Sequence, residues 1–326
     1  MRANTLKANT MKLKNPLEII KSVPPVVWIM LVMMATFSVL SPEYLKLKNM
    51  SNIIIQSVPL MLVAFAQTLI VLTQGTDLSL GMQVSLTSVL WVFLMTKGVP
   101  VYVGALITIV VSMLSGTING LVVSKWKIPP FIATLGMQNI LYSIALLLTA
   151  GASIFYPSPV FRIVAEMRII GLPLTVWITA LMFVVTWTIL YKTKLGAHVF
   201  GLGGNAEALV LAGVDTVKSS VMIYAYAGLL TSISGLLITC RLESGQPIVG
   251  QGWEFEAVAA VLLGGTSMRE GKGGITGTIF GVLLITIIKN GLNLVGLFSI
   301  YQNAVIGIII LAAIVIDNVA RRLKDK

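Results

Sequence analysis

Three acidic residues lie where the surrounding sequence is apolar, and they are the side chains best placed to carry chemistry. Asp77 is the only charged residue between Asn49 and Thr96, and Glu254 and Glu256 are two residues apart in a Gly-Trp-Glu-Phe-Glu segment. Paired carboxylates can act as general acid and base, and acids in apolar segments can relay protons. Hydrolysis would also need a nucleophile or a metal, and no such cluster accompanies these acids. We therefore predict no catalytic site.

Cofactor and nucleotide sites are also disfavoured by residue usage. The single histidine, His198, excludes a histidine-rich metal site, and the single cysteine, Cys240, excludes an internal disulfide. The Gly271-Lys272 pair invites a P-loop interpretation, but residue 266 is Thr where Gly is needed and residue 273 is Gly where Ser or Thr is needed. We expect no cofactor, and any energy source must be another polypeptide or an ion gradient.

The elements that position the acids are apolar blocks of membrane-spanning length. Hydrophobic residues make up 56% of the chain and charged residues only 11%, against about 25% charged in soluble domains. A helix needs about 20 apolar residues to cross a bilayer, and the absence of apolar–polar alternation excludes a barrel. The blocks without Asp, Glu, Lys or Arg are residues 22–42, 98–124, 128–161, 169–191, 219–240 and 290–316. The chain is therefore predicted to be an all-α polytopic membrane protein.

The simplest threading has about ten transmembrane helices in one domain over residues 1–326. Most of the 23 Lys and Arg residues then fall on the side of both termini, which the positive-inside rule makes cytoplasmic. Because these charges form short clusters between apolar blocks, they indicate topology and argue against nucleic-acid binding. The eighth span is short, so we expect a half-helix or a re-entrant segment. The predicted spans are 24–41, 53–74, 79–96, 100–123, 129–150, 170–191, 219–240, 254–267, 274–295 and 299–317.

The two halves of the chain share short motifs in the same order. Asn119-Gly120-Leu121 closes the fourth span and Asn290-Gly291-Leu292 closes the ninth, and an acidic, glycine-flanked break precedes each, at 75–81 and 252–256. An offset of five spans would invert the second copy, which gives an inverted repeat of two five-helix halves. Such repeats of broken helices are typical of transporters. The alternative is that Asn-Gly-Leu recurs by chance in a chain with 29 glycines.

Polar residues at the helix breaks are the candidate translocation path. Asp77 either accepts hydrogen bonds from free backbone amides in the break or is an ordinary N-cap, and the two roles are compatible. Glu254 and Glu256 either begin a helix in water or face a cavity rim, and the short eighth span favours the rim. Lys289 falls inside a span, from which it is expected to snorkel to the outer interface. The candidate residues are Asp77, Ser79, Asn119, Glu254, Glu256, Asn290 and Asn293.

The loop at residues 192–218 is the longest cytoplasmic segment between predicted spans. Asn205 is a plausible N-cap, residues 206–212 form a short helix, and Gly213 stops it. Glu207 falls in the first turn, where the helix dipole favours an anion. This helix is either a contact surface for a soluble partner or a helical connector between two spans. The candidate contact residues are Asn205, Ala206, Glu207, Ala208, Ala212 and Gly213.

Four motifs in order make this sequence resemble the ribose-type permease subunits of bacterial ABC sugar importers. Gly75-Thr76-Asp77-Leu78-Ser79-Leu80-Gly81 is similar to the family's Gly-x-Asp-Leu-Ser-x-Gly motif. The stretch from Gly203 to Val214 resembles its coupling-loop region, and the resemblance continues through 252–267, 271–278 and 290–294. It covers nearly the whole chain from the second span onward. Lys289 departs from the pattern, since a neutral residue is usual there.

The resemblance implies an importer subunit in the bacterial cytoplasmic membrane. Its partners would be a second permease copy (identical or a paralogue), a cytoplasmic ATP-binding subunit and an extracytoplasmic sugar-binding protein, with ATP bound by the partner chain. The residues 205–213 would then contact the ATPase, and the substrate would be ribose or a related monosaccharide. The alternatives are a permease for nucleosides or branched-chain amino acids, and an ion-coupled secondary transporter that uses the three acids.

Overall fold

The computed structural model of this chain describes residues 25–268 and 270–297, together with residues 301, 304, 305, 307, 308 and 311. Within these residues the fold is almost entirely helical, with four strands of two residues each. The helices are α1 Pro25–Leu40, α2 Leu47–Leu72, α3 Leu80–Thr96, α4 Val101–Ser124, α5 Pro130–Thr149, α6 Pro159–Glu166, α7 Leu174–Lys192, α8 Lys194–Leu211, α9 Thr216–Leu242, α10 Trp253–Leu263 and α11 Ile275–Leu294. The strands are β1 Ile154–Phe155, β2 Arg168–Ile169, β3 Leu172–Pro173 and β4 Ser244–Gly245.

The polytopic all-α architecture is confirmed, and the count of ten spans stays a prediction. Six helices in the described part of the chain are long and apolar enough to cross a membrane, namely α2, α4, α5, α7, α9 and α11. Helices α1 and α3 are apolar but shorter. The predicted tenth span, 299–317, and the basic N- and C-terminal segments lie outside or largely outside the described residues.

Helices α2 and α9 form the centre of the bundle. Every residue of α2 from Ser57 to Leu72 is buried, which suits a helix that is apolar on all sides. Helix α9 packs closely on α4 because small residues line the contact. A Cβ on Gly116 would overlap the carbonyl oxygen of Tyr224, and one on Gly228 would overlap the carbonyl oxygen of Ser112. Small residues at such crossings let two backbones approach each other in a membrane.

The segment predicted as the short eighth span is only partly helical, as its short apolar run predicts. Helix α10 has 11 residues, about 16 Å at the usual rise, which is too short to span a bilayer alone. Residues 244–252, which precede it, run along α3 and bond to its hydroxyl groups. The N–H of Gly250 donates to Ser85 Oγ at 2.9 Å, and the N–H of Gln246 donates to Ser88 Oγ at 3.3 Å. Irregular backbone is tolerated within a membrane protein where the protein itself satisfies its polar groups.

The connections on the side opposite α8 are tied together by short strands. Strand β1, which follows α5, pairs antiparallel with β4, which follows α9, and Ile154 lies opposite Gly245. The C-terminal ends of α5 and α9 therefore lie on the same side of the bundle, as the threading predicts. Helix α6 lies nearby and buries Phe161 against Trp91, with ring centroids 4.6 Å apart. These contacts order a segment that the sequence shows only as a loop.

Candidate functional site

Asp77 closes the break between α2 and α3 by accepting hydrogen bonds with both carboxylate oxygens. Its side chain is fully buried. Oδ1 accepts from the Ser79 N–H at 2.7 Å and from the Ser79 hydroxyl at 2.6 Å, and Oδ2 accepts from Asn119 Nδ2 at 3.3 Å. The predicted role as an acceptor for backbone amides is confirmed. The N-cap interpretation is wrong, because Ser79 occupies the N-cap of α3.

A buried network extends from this break into three helices. Gln83, one turn after Ser79, donates to the Ser79 hydroxyl at 3.0 Å. Its Oε1 accepts from Thr231 of α9 at 2.8 Å and from Ser112 of α4 at 3.2 Å. Asn119 Nδ2 also donates to the Ser79 hydroxyl, at 2.9 Å. The sequence analysis missed Gln83, although its position four residues after Ser79 places both side chains on one face of α3.

A narrow cleft with only about 10 Å³ of free space, room for about one water molecule, lies beside this network, between α3, α4 and α5. Apolar side chains and uncharged polar ones line it, and the polar set is Gln83, Thr87, Thr108, Ser112 and Ser115. None of the three predicted acids lines this cleft. The hydroxyl and amide groups of such a surface can both donate and accept hydrogen bonds without binding an ion.

Glu254 is buried rather than placed at a cavity rim, so that interpretation is wrong for this residue. Its side chain lies in the first turn of α10 and the residue is 1% exposed. Oε1 accepts from Gln138 Nε2 of α5 at 2.9 Å, and Oε2 has no hydrogen-bond partner among the described residues. A Cβ on Gly81 would overlap both Oε2 and the carbonyl oxygen of Gly250. The N-terminal ends of α3 and α10 therefore meet, each with a buried acid.

The two carboxylates offset the partial positive charge at the N-termini of α3 and α10. A helix N-terminus carries partial positive charge, so a carboxylate in the first turn or just before it is favoured. Asp77 lies before α3 and Glu254 lies within the first turn of α10. This arrangement stabilises a buried carboxylate at each of the two helix starts. In the described part of the chain, no three His, Cys, Asp or Glu side chains are grouped to hold a metal ion.

Glu256 forms an ion pair within the protein. Lys289 Nζ of α11 lies 2.5 Å from Glu256 Oε1, and the two side chains are 29% and 14% exposed. The second oxygen of Glu256 is buried and has no hydrogen-bond partner among the residues that the structure describes. The predicted snorkelling of Lys289 is therefore wrong, because a charge that the sequence shows as isolated has an acidic partner on the neighbouring helix. Glu256 is part-buried in this pair, and its position at a cavity rim stays a prediction.

The two remaining candidates of the predicted path lie apart from the breaks. Asn290 forms a reciprocal amide pair with Asn49 at the start of α2, with distances of 2.8 and 3.0 Å. Asn49 Nδ2 also donates to the carbonyl oxygen of Tyr44. Asn293 lies on the surface at the end of α11. The predicted set therefore divides into a buried break around Asp77, Ser79 and Asn119, a second break at Glu254, and a separate helix–helix bridge.

The segment predicted to contact a partner is a bent helix. Helix α8 is interrupted at Asn205, whose φ and ψ are −158° and 92°. Asn205 Oδ1 accepts from the Ala208 N–H at 2.9 Å, which confirms the predicted N-cap. Gly213 has φ +77° and donates to the carbonyl oxygen of Val210, which confirms the predicted stop. The short second part ends at Leu211, one residue earlier than predicted.

The surface of this bent segment is exposed and partly apolar. Asn205, Ala206, Glu207, Ala208, Ala212 and Gly213 are all exposed. Val210 and Leu211, which the sequence analysis did not single out, are 58% and 89% exposed. Exposed apolar residues at the tip of a capped helix are typical of a surface that a protein partner covers. We name residues 205–213 the coupling segment.

Sequence comparisons relate this chain to known transport proteins. Residues 49–314 match the model of a family described as branched-chain amino acid transport system / permease component. The chain is 36% identical over 293 residues to the ribose import permease protein RbsC of Escherichia coli (strain K12), covering 89% of this chain and 91% of that protein. It is 32% identical to the D-allose transport system permease protein AlsC of the same strain, covering 89% and 90%.

A third relative comes from another organism. The fructose import permease protein FrcC of Rhizobium meliloti is 32% identical over 325 residues, which cover 96% of this chain and 89% of that protein. No solved structure gives a significant match.

Proposed function

This chain belongs to the family described as branched-chain amino acid transport system / permease component, and from that premise we propose that it is the membrane subunit of an ABC importer for a monosaccharide. The observation that carries the proposal is the near-full-length similarity to permeases named for ribose, allose and fructose. These sugars differ in stereochemistry and ring form but share a neutral, polyhydroxylated character. The uncharged hydroxyl and amide groups beside Gln83 suit that chemical class.

The partners follow from the family. We infer a second permease copy, identical or a paralogue, a cytoplasmic ATP-binding subunit and an extracytoplasmic sugar-binding protein, all assembled at the bacterial cytoplasmic membrane. ATP is bound by the partner chain, and this chain carries no cofactor. The domain is a single transmembrane unit over residues 1–326, with residues 192–218 on the cytoplasmic side. The helices that the structure describes support a membrane location.

The coupling segment is the proposed contact with the ATP-binding subunit. Its exposed apolar tip, Val210 and Leu211, would fill a groove on the partner. Glu207, next to the N-cap, would add a charge at the rim of the contact. Closure of the ATPase around ATP would then displace this segment. Variants Leu211→Asp and Glu207→Lys should lose ATPase co-purification, while Lys97→Glu, on the opposite side in the threading, should retain it.

The inverted repeat remains a proposal, and reciprocal packing supports it. The second helix of each predicted half, α2 or α9, packs on the later helices of the other half. Gly120 near the end of α4 lies against Val221 near the start of α9. Asn290 near the end of α11 bonds to Asn49 near the start of α2. The two halves thus make corresponding contacts, as a two-fold relationship in the membrane plane would require.

Energy from an ion gradient is the less favoured alternative. Asp77 has both oxygens bonded within the protein, and Glu256 is paired with Lys289. Glu254 is separated from solvent. The described acids are therefore poorly placed to pass protons from one side of a membrane to the other. This favours an energy source in the partner ATPase.

Reconstitution tests the proposed function directly. Proteoliposomes would contain the permease with the ATP-binding subunit and binding protein that co-purify with it, with ATP on the cytoplasmic side. We expect ATP-dependent accumulation of a labelled monosaccharide from a panel of ribose, allose and fructose, and none of adenosine or leucine. Accumulation of only adenosine or leucine would assign the substrate to another class. Sugar accumulation by the lone chain under a proton or sodium gradient would contradict the ABC mechanism.

Cysteine labelling tests the proposed topology. Ile170, in the turn between β2 and β3, is 88% exposed, and Leu211 of the coupling segment is 89% exposed. In a Cys240→Ser background, an impermeant maleimide added to intact cells should label Ile170→Cys and should leave Leu211→Cys unlabelled until the membrane is opened. The reverse pattern would invert the threading.

A further inference from the structure

Three backbone segments meet without intervening side chains behind the coupling segment. Gly203, two residues before the bend at Asn205, is buried against the end of α2 and the turn between α10 and α11. A Cβ on Gly203 would overlap the carbonyl oxygen of Leu72 and would lie 3.0 Å from the Gly271 Cα. A Cβ on Gly271 would lie 2.7 Å from the Gly203 carbonyl carbon. We call Leu72, Gly203 and Gly271 the backbone junction.

A hydrogen bond extends this junction into the first helix break. Gln74 Nε2 donates to the carbonyl oxygen of Gly203 at 2.6 Å. Gln74 is three residues before Asp77, whose carboxylate closes the break ahead of α3. A displacement of Gly203 therefore acts on the stretch of chain between α2 and Asp77.

The other side of the junction leads to the second broken crossing. Gly271 lies in the turn that follows α10, and this turn is itself closely packed. Gly264 and Gly277 approach backbone to backbone, and Gly274 N–H donates to Thr266 Oγ1 at 3.3 Å. A displacement of Gly271 is therefore passed to the end of α10, the helix whose other end meets α3 at Gly81.

We propose that the backbone junction of Leu72, Gly203 and Gly271 transmits movement of the coupling segment to both helix breaks at once. This inference rests on the proposed function and names the residues through which the ATPase acts. Close-packed backbones transmit displacements of less than an ångström, whereas long side chains would absorb them by changing rotamer. Gly203 and Gly271 are thus positioning residues for the transport cycle, and their small size is the property that matters.

The neighbouring glycine supplies a matched control. Gly204 is exposed, and a Cβ on it would meet nothing within 4 Å. Neither Gly203 nor Gly204 has a left-handed φ, so alanine fits the backbone at both positions. A second matched pair exists in the α10–α11 turn. Gly271 and Gly265 have φ of +59° and +88°, so alanine is strained at both, but only Gly271 touches another segment.

The experiment compares these four variants in the reconstituted complex with its ATP-binding subunit and binding protein. In Gly203→Ala and Gly271→Ala we expect stimulation of ATP hydrolysis by loaded binding protein to be lost and sugar uptake to fall at least tenfold. Basal ATP hydrolysis and co-purification of the ATPase should stay within about twofold of the wild type. Gly204→Ala and Gly265→Ala should retain stimulated hydrolysis and uptake.

The outcomes separate the junction from the proposed function. If the wild-type complex shows no ATP-dependent sugar uptake, the proposed function is refuted. The proposal about the backbone junction is then refuted as well, because it rests on that function. Uptake in the wild type with equal behaviour of Gly203→Ala and Gly204→Ala refutes the junction alone. Failure of Gly203→Ala and Gly271→Ala to assemble with the ATPase, while their controls assemble, would also refute it, because the glycines would then serve assembly and not transmission.

Discussion

The two acid-bearing helix starts, at α3 and at α10, look alike in sequence and differ in how their carboxylates are satisfied. Both oxygens of Asp77 accept hydrogen bonds from Ser79 and Asn119. Glu254 accepts a side-chain hydrogen bond from Gln138 through Oε1, and its Oε2 is buried without a hydrogen-bond partner among the described residues. A buried polar atom without a partner costs about 1–3 kcal/mol, so the α10 start is held less firmly by polar contacts.

This difference indicates which break keeps its internal contacts when both are displaced. Segments with fewer buried polar bonds separate from their neighbours at lower free energy. We expect α3 and its network with Gln83 to shift as one unit with its hydrogen bonds intact during transport, and residues 244–252 with α10 to separate from their neighbours. For that reason we call the break at Asp77 the fixed break. The same mutation made at both breaks should therefore have different effects.

The largest expected effect comes from removing the acceptor in the fixed break. Asp77→Ala leaves two Ser79 donors and one Asn119 donor without their shared acceptor. We expect a loss of about 3 kcal/mol of stability, measured by unfolding in detergent, since each buried donor costs about 1–3 kcal/mol and part is regained by rearrangement. Glu43→Ala, at an acid 60% exposed, is the control and should change stability by less than about 0.5 kcal/mol. Equal losses of stability in Asp77→Ala and Glu43→Ala would show that the hydrogen bonds to Asp77 do not stabilise the break.

The next effect concerns the ion pair beside the α10 start. Lys289→Met leaves Glu256 as a partly buried charge without its partner, and we expect a loss of about 2 kcal/mol after allowance for exposure. The double variant Glu256→Gln/Lys289→Met should recover most of that loss, because the uncompensated charge is removed. A double variant as unstable as Lys289→Met alone would show that packing of the lysine stem, rather than charge pairing, stabilises this contact.

The sharpest comparison uses the same isosteric change at both breaks. Asp77→Asn places an amide N–H₂ against either the Ser79 donors or the Asn119 donor, and we expect a loss of about 1–2 kcal/mol. Glu254→Gln can keep its oxygen on Gln138 and place its amide where Oε2 has no partner, so stability should change by less than about 0.5 kcal/mol. The measurement is unfolding of the two variants side by side, and a reversed order would overturn the assignment of the fixed break.

The smallest effect is expected at the amide bridge away from both breaks. In a double-mutant cycle with Asn49→Ala and Asn290→Ala, the coupling free energy should be about 1 kcal/mol, as for helix-to-helix hydrogen bonds in membranes. Sugar uptake should remain near the wild-type value. A strong loss of uptake with unchanged stability would return Asn290 to the predicted translocation path.

Much of the architecture was predictable because lipid imposes strong rules on sequence. The apolar blocks predicted the helices that overlap α1 to α5, α7, α9 and α11, and the weak eighth span predicted a short α10. The cap and stop of the coupling segment at Asn205 and Gly213 were also predictable, since local hydrogen bonds and a positive φ determine them.

Contacts between distant parts of the chain were not predictable in the same way. Gln83 bonds to Thr231 and Ser112 across 148 and 29 residues, and no short-range pattern links those positions. Glu254 was expected at a cavity rim because its sequence neighbours do not reveal that Gly81 and Gln138 enclose it. Lys289 was expected to reach the lipid interface for the same reason, since Glu256 lies 33 residues away.

The sequence by itself determined that this protein is a helical membrane protein that resembles permeases, that acidic residues mark the starts of α3 and α10, and that a capped helix follows Asn205. Hydrophobicity, glycine placement and capping act over a few residues, so they can be read along the chain. Only the tertiary structure decided how the breaks are satisfied and that Gly203 touches both Leu72 and Gly271. Those contacts depend on which helix faces pack together, and packing is a property of the whole bundle.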